Sequence, residues 1–338
     1  MAIKVEKVER PVRLRRSCHA VPGSSEKMLE KSAGLDADQV FLDLEDAVAL
    51  DKKEEARGMI INALQSFEYK APTVVVRVNA VDTKFAYRDL IEVVEAAGEK
   101  IDCIMIPKVE SAEHITFIDR LLTSIEEVKG WEVGRIGLEA QIENGEGLIN
   151  IEKIAAASPR METLILGPGD FSAAMGMRIL SVGGNNQSYP GDIWHYVNFR
   201  ILSTARAFGL QAIDGPFSQV KNDDGLREAA VRTVTMGFDG KWSLHPQQIP
   251  IINELYSPPL EEYQRAERML TAYEHATTVE KKGAVMFENE MIDEANRKMA
   301  LELAMKGRLI GLDPGEAWTP PAPEGSAADA QPAGAAAS

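Results

Sequence analysis

Cysteine is scarce in this chain, because only Cys18 and Cys103 occur among its 338 residues. Two thiols cannot build the disulfide framework of a small secreted domain, and they match no zinc-site spacing. A reducing compartment is therefore expected, and we predict that the protein is cytoplasmic. No run of about 18 apolar residues is present, so no membrane span is predicted. Residues 1–16 lack an apolar core, so no secretory signal is predicted either.

Basic residues are under-represented, since 37 Lys and Arg stand against 52 Asp and Glu and the net charge is −15. A protein that binds duplex nucleic acid needs a basic face to replace the counterions of the phosphates. We therefore expect no nucleic-acid partner. An acidic surface keeps a protein soluble, and it does not exclude a small anionic ligand held by a few local Lys or Arg side chains.

Short apolar runs alternate with longer amphipathic stretches over residues 1–256. Runs such as Thr73–Val76 are continuously apolar and β-branched, as expected of parallel strands covered on both faces. Eight runs are predicted as strands: Leu14–Val21, Gln39–Asp46, Thr73–Asn79, Ile101–Lys108, Arg135–Glu143, Glu162–Asp170, Gly209–Asp214 and Gly237–Leu244. Eight stretches are predicted as helices: Ser24–Ser32, Lys52–Ser66, Ala86–Ala97, Ser111–Glu127, Glu146–Ala157, Pro190–Phe208, Asp223–Met236 and Pro246–Leu255.

This alternation predicts an α/β fold, a closed (β/α)8 TIM barrel over residues 1–256. An open doubly wound sheet is the alternative, but no Gly-rich dinucleotide fingerprint follows the first strand. Beyond residue 256 the pattern becomes helical in Leu260–Glu280 and Glu290–Leu309. Residues 257–313 are therefore predicted to form a C-terminal helical lid or oligomerisation arm. Residues 314–338 are rich in Ala, Pro, Gly and Ser, which predicts a disordered tail.

Polar residues follow most of the apolar runs, at the end of the barrel where active sites form. The sharpest pair is Glu143 and Asp170, which end consecutive predicted strands. Two carboxylates completed by water are the usual protein site for Mg²⁺, with Mn²⁺ as an alternative. Glycines beside them, including Gly169, allow the backbone to approach a ligand closely. The competing interpretation is that each carboxylate only caps the following helix.

Two other features carry positive charge near this end of the barrel. Arg77 ends a very apolar strand, where a guanidinium is costly without an anionic or carbonyl partner. That partner is either Glu45 or Asp46 in a buried ion pair, or a substrate oxygen, or both. Lys27 and Lys31 lie one helical turn apart after a glycine turn, which is a plausible phosphate site or merely a solvated helix face.

The ordered set of these motifs resembles the HpcH/HpaI aldolase/citrate lyase superfamily, and within it the citrate lyase β-subunit-like group closest to malyl-CoA and β-methylmalyl-CoA lyases. The resemblance covers roughly residues 11–300 and is carried by several short stretches. These are Arg15–Ser17, Val21–Gly23, Leu42–Val48, Val76–Asn79, Ile106–Lys108, Gln141–Glu143, Gly167–Ser172, Ile213–Pro216, Gly240–Pro246 and Met291–Asp293.

The resemblance implies a role for each matching residue. Glu143 and Asp170 would hold the metal, and Arg77, supported by Glu45 and Asp46, would contact the substrate. Lys27 and Lys31 would bind the phosphates of coenzyme A near Ala20 and Gly169, and Asp293 would be the catalytic residue of a lid that covers a neighbouring subunit. A homo-oligomer, a trimer or hexamer, is implied. The chain departs from the family at Ala20, where some relatives carry an aromatic residue, and before Met291, where a glycine is expected.

The predicted reaction is a magnesium-dependent, reversible aldol- or Claisen-type cleavage of a 3-hydroxyacyl-CoA. The thioester would be L-malyl-CoA or β-methylmalyl-CoA, and the products glyoxylate and acetyl-CoA or propionyl-CoA. Three related activities stay open: a citramalyl-CoA lyase that releases pyruvate, a malyl-CoA thioesterase, and a citrate lyase β subunit. A non-catalytic binding or scaffold barrel is the alternative from another class, and it leaves the charges of Arg77, Glu143 and Asp170 at one rim unexplained.

Overall fold

Eight parallel strands close into a barrel in the computed structural model of the protein, which describes residue 8 and residues 10–184 and 189–320. Each strand pairs with the next along the chain, and β8 returns to pair with β1, so the predicted (β/α)8 barrel is confirmed. The strands are β1 (Ser17–Pro22), β2 (Gln39–Asp43), β3 (Thr73–Arg77), β4 (Cys103–Ile106), β5 (Gly137–Ile142), β6 (Met161–Leu166), β7 (Gln211–Asp214) and β8 (Gly240–Ser243).

Helices follow every barrel strand and surround the barrel. They are α1 (Glu26–Ser32), α2 (Lys53–Ser66), α3 (Ala86–Ala97), α4 (Ala112–Lys129), α5 (Gly145–Ile149), α6 (Ile151–Ala155), α7 (Pro168–Ala174), α8 (His195–Phe208), α9 (Asp223–Met236) and α10 (Gln248–Leu255). The single helix predicted over Glu146–Ala157 is wrong, because the chain breaks at Asn150 into α5 and α6. Helix α7, directly after β6, was not predicted. It begins with Pro168, whose ring suits the first helical turn.

Two layers of apolar packing hold the barrel together. The larger layer joins the outward faces of the strands to the helices, and it explains why strands such as β4 are buried along their whole length. The smaller layer fills the barrel interior with Cys18, Phe41, Val75, Cys103, Met105, Ile165, Ile213 and Trp242. We call these eight residues the interior plug. Side chains alternate between the two faces of a strand, so the final inward-facing residue of each strand lies at the carboxyl end of the barrel.

Arg15 closes the opposite end of the barrel, although only 1% of it is exposed. Its guanidinium pairs with Glu139 (Nε–Oε1, 2.9 Å) and Glu162 (Nη2–Oε2, 2.5 Å) and also donates to the side chains of Gln39 and Gln211. Burial lowers the pKa of Arg15, but the groups around it, chiefly Glu139 and Glu162, together outweigh burial and the pKa lies above its ordinary value. Arg15 is thus a structural counterion that ties four strands together.

Replacing Arg15 with methionine should lower the free energy of unfolding by about 3–5 kcal/mol, because Glu139 would be left buried without its partner. The shift in the urea unfolding midpoint measures this loss. Lys52→Met is the matched control, since it removes the same charge from an exposed pair with Glu55 and should leave the midpoint almost unchanged. Equal midpoints for the two variants would contradict the structural role of Arg15.

The remaining chain forms a second unit, Ser257–Ser338, of which residues 257–320 are described. Its elements are α11 (Leu260–Thr278), β9 (Val285–Phe287), β10 (Glu290–Ile292) and α12 (Glu294–Leu309). The helix predicted over Glu290–Leu309 is therefore wrong in its first turn, because residues 290–292 pair with β9 as a short hairpin. The helix starts only after Asp293, whose side chain caps it.

A small apolar core holds the second unit, with Phe287 and Ile292 of the hairpin packed against α11 and α12. Trp318 packs against the same core and lies 5.6 Å from the ring of His275. Trp318 falls within the stretch predicted to be disordered, so that prediction starts too early: one large aromatic side chain supplies the apolar area that its Ala, Pro and Gly neighbours lack. Over the described residues of the chain, no helix has the length and apolar character needed to cross a membrane.

Candidate active site

A pocket of about 270 Å³ opens at the carboxyl end of the barrel strands. Glu143 and Asp170 both line it, together with Lys108 and Glu110. Glu143 follows β5 directly, and Asp170 belongs to the first turn of α7 after β6. The structure therefore brings the two predicted carboxylates to one pocket, although Asp170 is carried by a helix rather than by a strand end.

Glu143 is held by two donors inside the protein. The backbone N–H of Lys108 donates to Oε2 (2.8 Å), and Nε2 of Gln141 donates to Oε1 (3.0 Å). Burial raises the pKa of Glu143 to about 8, the charge of Asp170 adds to this rise, and the charge of Arg77 opposes it. A carboxylate with so little compensating positive charge gains stability from any cation that enters the pocket.

The backbone after β6 leaves room for Glu143 only because residue 167 is glycine. A Cβ on Gly167 would overlap the Glu143 carboxylate, whereas a Cβ on Gly169 would meet Val182 at an ordinary 3.5 Å. Of the two glycines named from the sequence, Gly167 is therefore the one whose missing Cβ makes room for Glu143. This close approach is a cradle that fixes where the carboxylate of Glu143 lies.

The donor set of the pocket fits a hard divalent cation. Glu143 and Asp170 offer only carboxylate oxygens, and these are the ligands that Mg²⁺ prefers. Among the residues that the structure describes, no group of three or more His, Cys, Asp or Glu side chains has the geometry to hold a metal. The other positions on a cation would fall to water or substrate oxygens, as is usual for Mg²⁺.

Arg77 is buried beside the pocket and is gripped by Asp43. Its Nε and Nη2 donate to the two carboxylate oxygens of Asp43, both at 2.7 Å. Glu45 lies 3.3 Å from Nη1, and Asp46 only comes within 4.0 Å. The predicted ion pair with Glu45 is therefore present, but the main contact is with Asp43, which was not predicted. Asp43 makes the main contact because the strand register places it directly beside Arg77, on the adjacent strand β2.

The geometry leaves part of the guanidinium of Arg77 available. Each Nη nitrogen carries two N–H groups, so Asp43 at Nη2 and Glu45 at Nη1 leave a second N–H on each nitrogen that these two carboxylates do not use. The aromatic rings of Phe41 and Trp242 lie 5.8 and 5.3 Å from its central carbon and hold it in place. Burial lowers the pKa of Arg77, but the acidic groups around it, Asp43 first among them, together outweigh burial and keep the pKa above its ordinary value. Arg77 is thus a fixed, permanently charged donor.

Lys108 was not predicted as a site residue, although it ends the fourth apolar run. Its Nζ lies 2.5 Å from Glu45, 3.2 Å from Asp46 and 3.5 Å from Asp170. Its backbone is in the left-handed region, with φ of 51°. A non-glycine residue in that conformation directly after a strand is the structural feature that marks it, and no sequence pattern encodes it.

The other predicted residues lie around this centre or in the second unit. Ala20 is half-buried and packs against the interior plug of the barrel, and Lys27 and Lys31 are both exposed on α1. Asp293 caps α12 in the second unit, where its carboxylate accepts from the backbone N–H of Ala295 at 2.8 Å. Asn296 completes the cap by accepting from the N–H of Asp293 at 3.1 Å.

Comparisons with known proteins show which proteins the chain is similar to. The sequence profile of the family described as HpcH/HpaI aldolase/citrate lyase matches residues 16–246. The chain is 39% identical to the L-malyl-CoA/beta-methylmalyl-CoA lyase of Rhodobacter capsulatus over 299 residues, which cover 86% of this chain and 93% of the relative. It is 35% identical to the malyl-CoA/beta-methylmalyl-CoA/citramalyl-CoA lyase of Chloroflexus aurantiacus over 321 residues, 89% of this chain and 90% of the relative.

A solved structure shares the fold as well. It is the crystal structure of protein CitE from Mycobacterium tuberculosis in complex with magnesium, acetoacetate and coenzyme A. The TM-score is 0.68 and the sequence identity 27%, and the match covers 87% of this chain and 98% of that chain.

Proposed function

The chain belongs to the HpcH/HpaI aldolase/citrate lyase family and is a carbon–carbon lyase, and from that premise we propose that it cleaves malyl-CoA thioesters reversibly with the help of Mg²⁺. The substrates proposed are L-malyl-CoA and β-methylmalyl-CoA, and the products are glyoxylate with acetyl-CoA or propionyl-CoA. The observation that carries the proposal is the shared pocket of Glu143 and Asp170 beside the buried, permanently charged Arg77.

Glu143 and Asp170 are the residues proposed to hold the cation. The raised pKa of Glu143, the oxygen-only donors and the cradle at Gly167 all suit a divalent cation. When bound, Mg²⁺ supplies Lewis-acid polarisation of the carboxylate and hydroxyl oxygens of a 2-hydroxy acid. Lys108 holds the Glu143 carboxylate in position through its backbone N–H.

Arg77 is proposed to stabilise the negative oxygen of the thioester enolate that forms when the carbon–carbon bond breaks. A donor that is already fixed in place needs no reorganisation as this charge develops, which is the main source of such stabilisation. Asp43, Phe41 and Trp242 provide that rigidity. The pair with Asp43 also ensures that Arg77 keeps its charge in a buried position.

The coenzyme A part of the substrate is proposed to bind at α1. Lys27 and Lys31 occupy one exposed face of α1, four residues apart, and two ammonium groups there suit the phosphates of coenzyme A. Ala20 lies on the strand before this helix, at the end of the interior plug. Its small side chain leaves more space for the cofactor than the aromatic residue of some relatives would.

Asp293 is proposed as the acid/base that returns or removes the α-proton of the thioester. In this proposal the protein is a homo-oligomer, a trimer or hexamer, and the second unit of one subunit covers the pocket of a neighbour. A residue that closes a pocket in this way excludes water, which would otherwise protonate the enolate. The helix cap that Asp293 makes in the second unit is compatible with this role, because the carboxylate is exposed.

Asp293→Asn should leave the protein folded and nearly inactive. Asparagine caps a helix about as well as aspartate, so the thermal unfolding midpoint should stay near the wild-type value, whereas acid/base catalysis is typically worth about 10²–10⁴ in rate. Mixing this variant with Glu143→Gln subunits should restore a fraction of the turnover if the second unit acts on a neighbour. Full activity of Asp293→Asn would exclude the acid/base role.

A substrate panel tests the proposed function directly. Acetyl-CoA or propionyl-CoA is incubated with glyoxylate or pyruvate, with Mg²⁺ or with chelator, and the thioester products are identified by mass. We expect malyl-CoA and β-methylmalyl-CoA only in the arms that contain glyoxylate and Mg²⁺. Pyruvate is included because the Chloroflexus relative is named for citramalyl-CoA as well, and a methyl group changes such discrimination by only about 1–3 kcal/mol. Products that form equally in chelator would overturn the cation-dependent mechanism.

A further inference from the structure

Lys108 combines an unusual backbone with an unusual set of neighbours. Its φ of 51° places a long side chain in the left-handed region, which costs of order 1 kcal/mol for a residue other than glycine. In this conformation the backbone N–H donates to Oε2 of Glu143, while the ammonium lies near Asp170. One residue thus contacts both of the carboxylates that line the pocket, Glu143 and Asp170.

The contacts of the ammonium form a graded series. Nζ is closest to Glu45 at 2.5 Å, next to Asp46 at 3.2 Å and furthest from Asp170 at 3.5 Å. A charged ammonium therefore stands between an acidic anchor, Glu45, and a carboxylate of the candidate cation site, Asp170.

We propose that Lys108 is a positioning residue that serves as the resident counterion of the pocket, holds Asp170 in place before a divalent cation arrives, and is displaced from Asp170 by that cation. The proposal rests on the proposed function, because it takes Glu143 and Asp170 as the cation ligands. The contact that must break is the longest of the three, and the contacts to Glu45 and Asp46 can keep the ammonium after the exchange.

The physical basis is competition between two positive charges for one carboxylate. An ammonium 3.5 Å from Asp170 attracts that carboxylate and holds it at the pocket in the cation-free protein, so its position is already set when a cation arrives. The same ammonium repels a cation that binds there, and this repulsion lowers the affinity. Lys108 would therefore lower the affinity for the cation while keeping Asp170 in position to bind it. This suits a cation that must remain accessible to substrate oxygens.

Magnesium binding without substrate tests this competition. Calorimetric titration of Lys108→Met with Mg²⁺ alone should give a dissociation constant about tenfold lower than that of the wild type, since one solvent-screened repulsion is removed. A residue that only supports the fold would leave the affinity unchanged or weaken it. Lys108→Arg keeps the charge and should stay near the wild-type affinity. Lys100→Met is the matched control, because Lys100 precedes β4 at the other end of the barrel and pairs there with exposed Glu68.

Lys108→Gly guards against a folding failure of the methionine variant. It removes the same charge and relieves the left-handed backbone while keeping the N–H that faces Glu143. Unchanged or weaker Mg²⁺ binding in both variants would overturn the inference, while the substrate panel on the wild type would still stand. Wild-type protein that binds no Mg²⁺ would instead overturn the cation-dependent function and this inference together.

Discussion

Replacing Glu143 with glutamine is expected to reduce magnesium-dependent turnover by about 10³-fold, because Glu143 would hold a cation whose Lewis acidity is worth several kcal/mol to the reaction. Glutamine keeps the shape of the side chain and an acceptor for the N–H of Lys108, but it removes the charge that a cation needs. The measurements are turnover at saturating Mg²⁺ and the calorimetric affinity for Mg²⁺. The far-ultraviolet circular dichroism signal should persist.

Glu110→Gln is the matched control for this prediction. Glu110 lines the same pocket and accepts from Nδ2 of Asn144 at 2.6 Å, but it is not a proposed cation ligand. The same chemical change there should cause a much smaller loss of turnover and leave the Mg²⁺ affinity close to the wild-type value. Equal losses in the two variants would show that the general acidity of the pocket matters, and not Glu143 in particular.

The raised pKa of Glu143 also predicts how stability depends on pH. In cation-free protein the native carboxyl holds its proton up to about pH 8, whereas the unfolded one releases it near its ordinary value of 4.5. The stabilisation from this group is complete below pH 4.5 and is lost as the pH rises to about 8. Chelator-treated wild type should therefore lose stability relative to Glu143→Gln across that window. Added Mg²⁺ should bind more weakly as the pH falls below about 8 and release protons.

Replacing Arg77 with methionine should impair turnover by about 10²–10³-fold, the usual effect of removing a donor to a developing oxyanion. The free energy of unfolding should fall as well, by about 3–5 kcal/mol, because Asp43 would stay buried without its partner. A loss of activity in the single variant is therefore ambiguous. The loss could result either from the missing catalytic charge or from a local change in structure around the unpaired Asp43.

The double variant Arg77→Met/Asp43→Asn separates the two causes. Removing both charges of the buried pair should recover most of the lost free energy of unfolding, since a neutral pair leaves no isolated buried charge. Turnover should not recover with it. Asp43→Asn alone should lose less turnover than Arg77→Met, because Arg77 would still be present but held less rigidly. Recovery of turnover in the double variant would mean that Arg77 has only a structural role.

Residues at strand ends were the part of the site most accessible to sequence reasoning. Glu143, Asp170 and Arg77 each follow an apolar run, and parallel strands in a barrel carry their ends to one rim, so chain order alone predicts that they meet. The closest partner of Arg77 was missed, although Glu45 does pair with it, because pairing across strands depends on register. Register places Asp43, not Glu45 or Asp46, beside Arg77.

The apolar pattern of the sequence does not predict the conformation or the partners of single residues. Lys108 has the composition of an ordinary strand end, and only its left-handed backbone turns the amide toward Glu143 and the ammonium toward Asp170. Arg15 reads as one of several charges near the N-terminus, yet it is buried against Glu139 on a strand more than a hundred residues away. The hairpin before Asp293 was read as helix because three residues per strand are too few to show an alternating pattern.

The amino-acid sequence by itself determined the eight-fold alternation of strand and helix, and therefore the barrel and the end at which its polar residues collect. Apolar periodicity is local, and it survives in the sequence because each element must bury its own face. Only the tertiary structure decided which charges become partners, as with Arg77 and Asp43 or Lys108 and Asp170. These pairings depend on strand register, burial and backbone dihedral angles at the scale of an ångström. Such features arise only when distant segments pack together, so no residue spacing in the sequence encodes them.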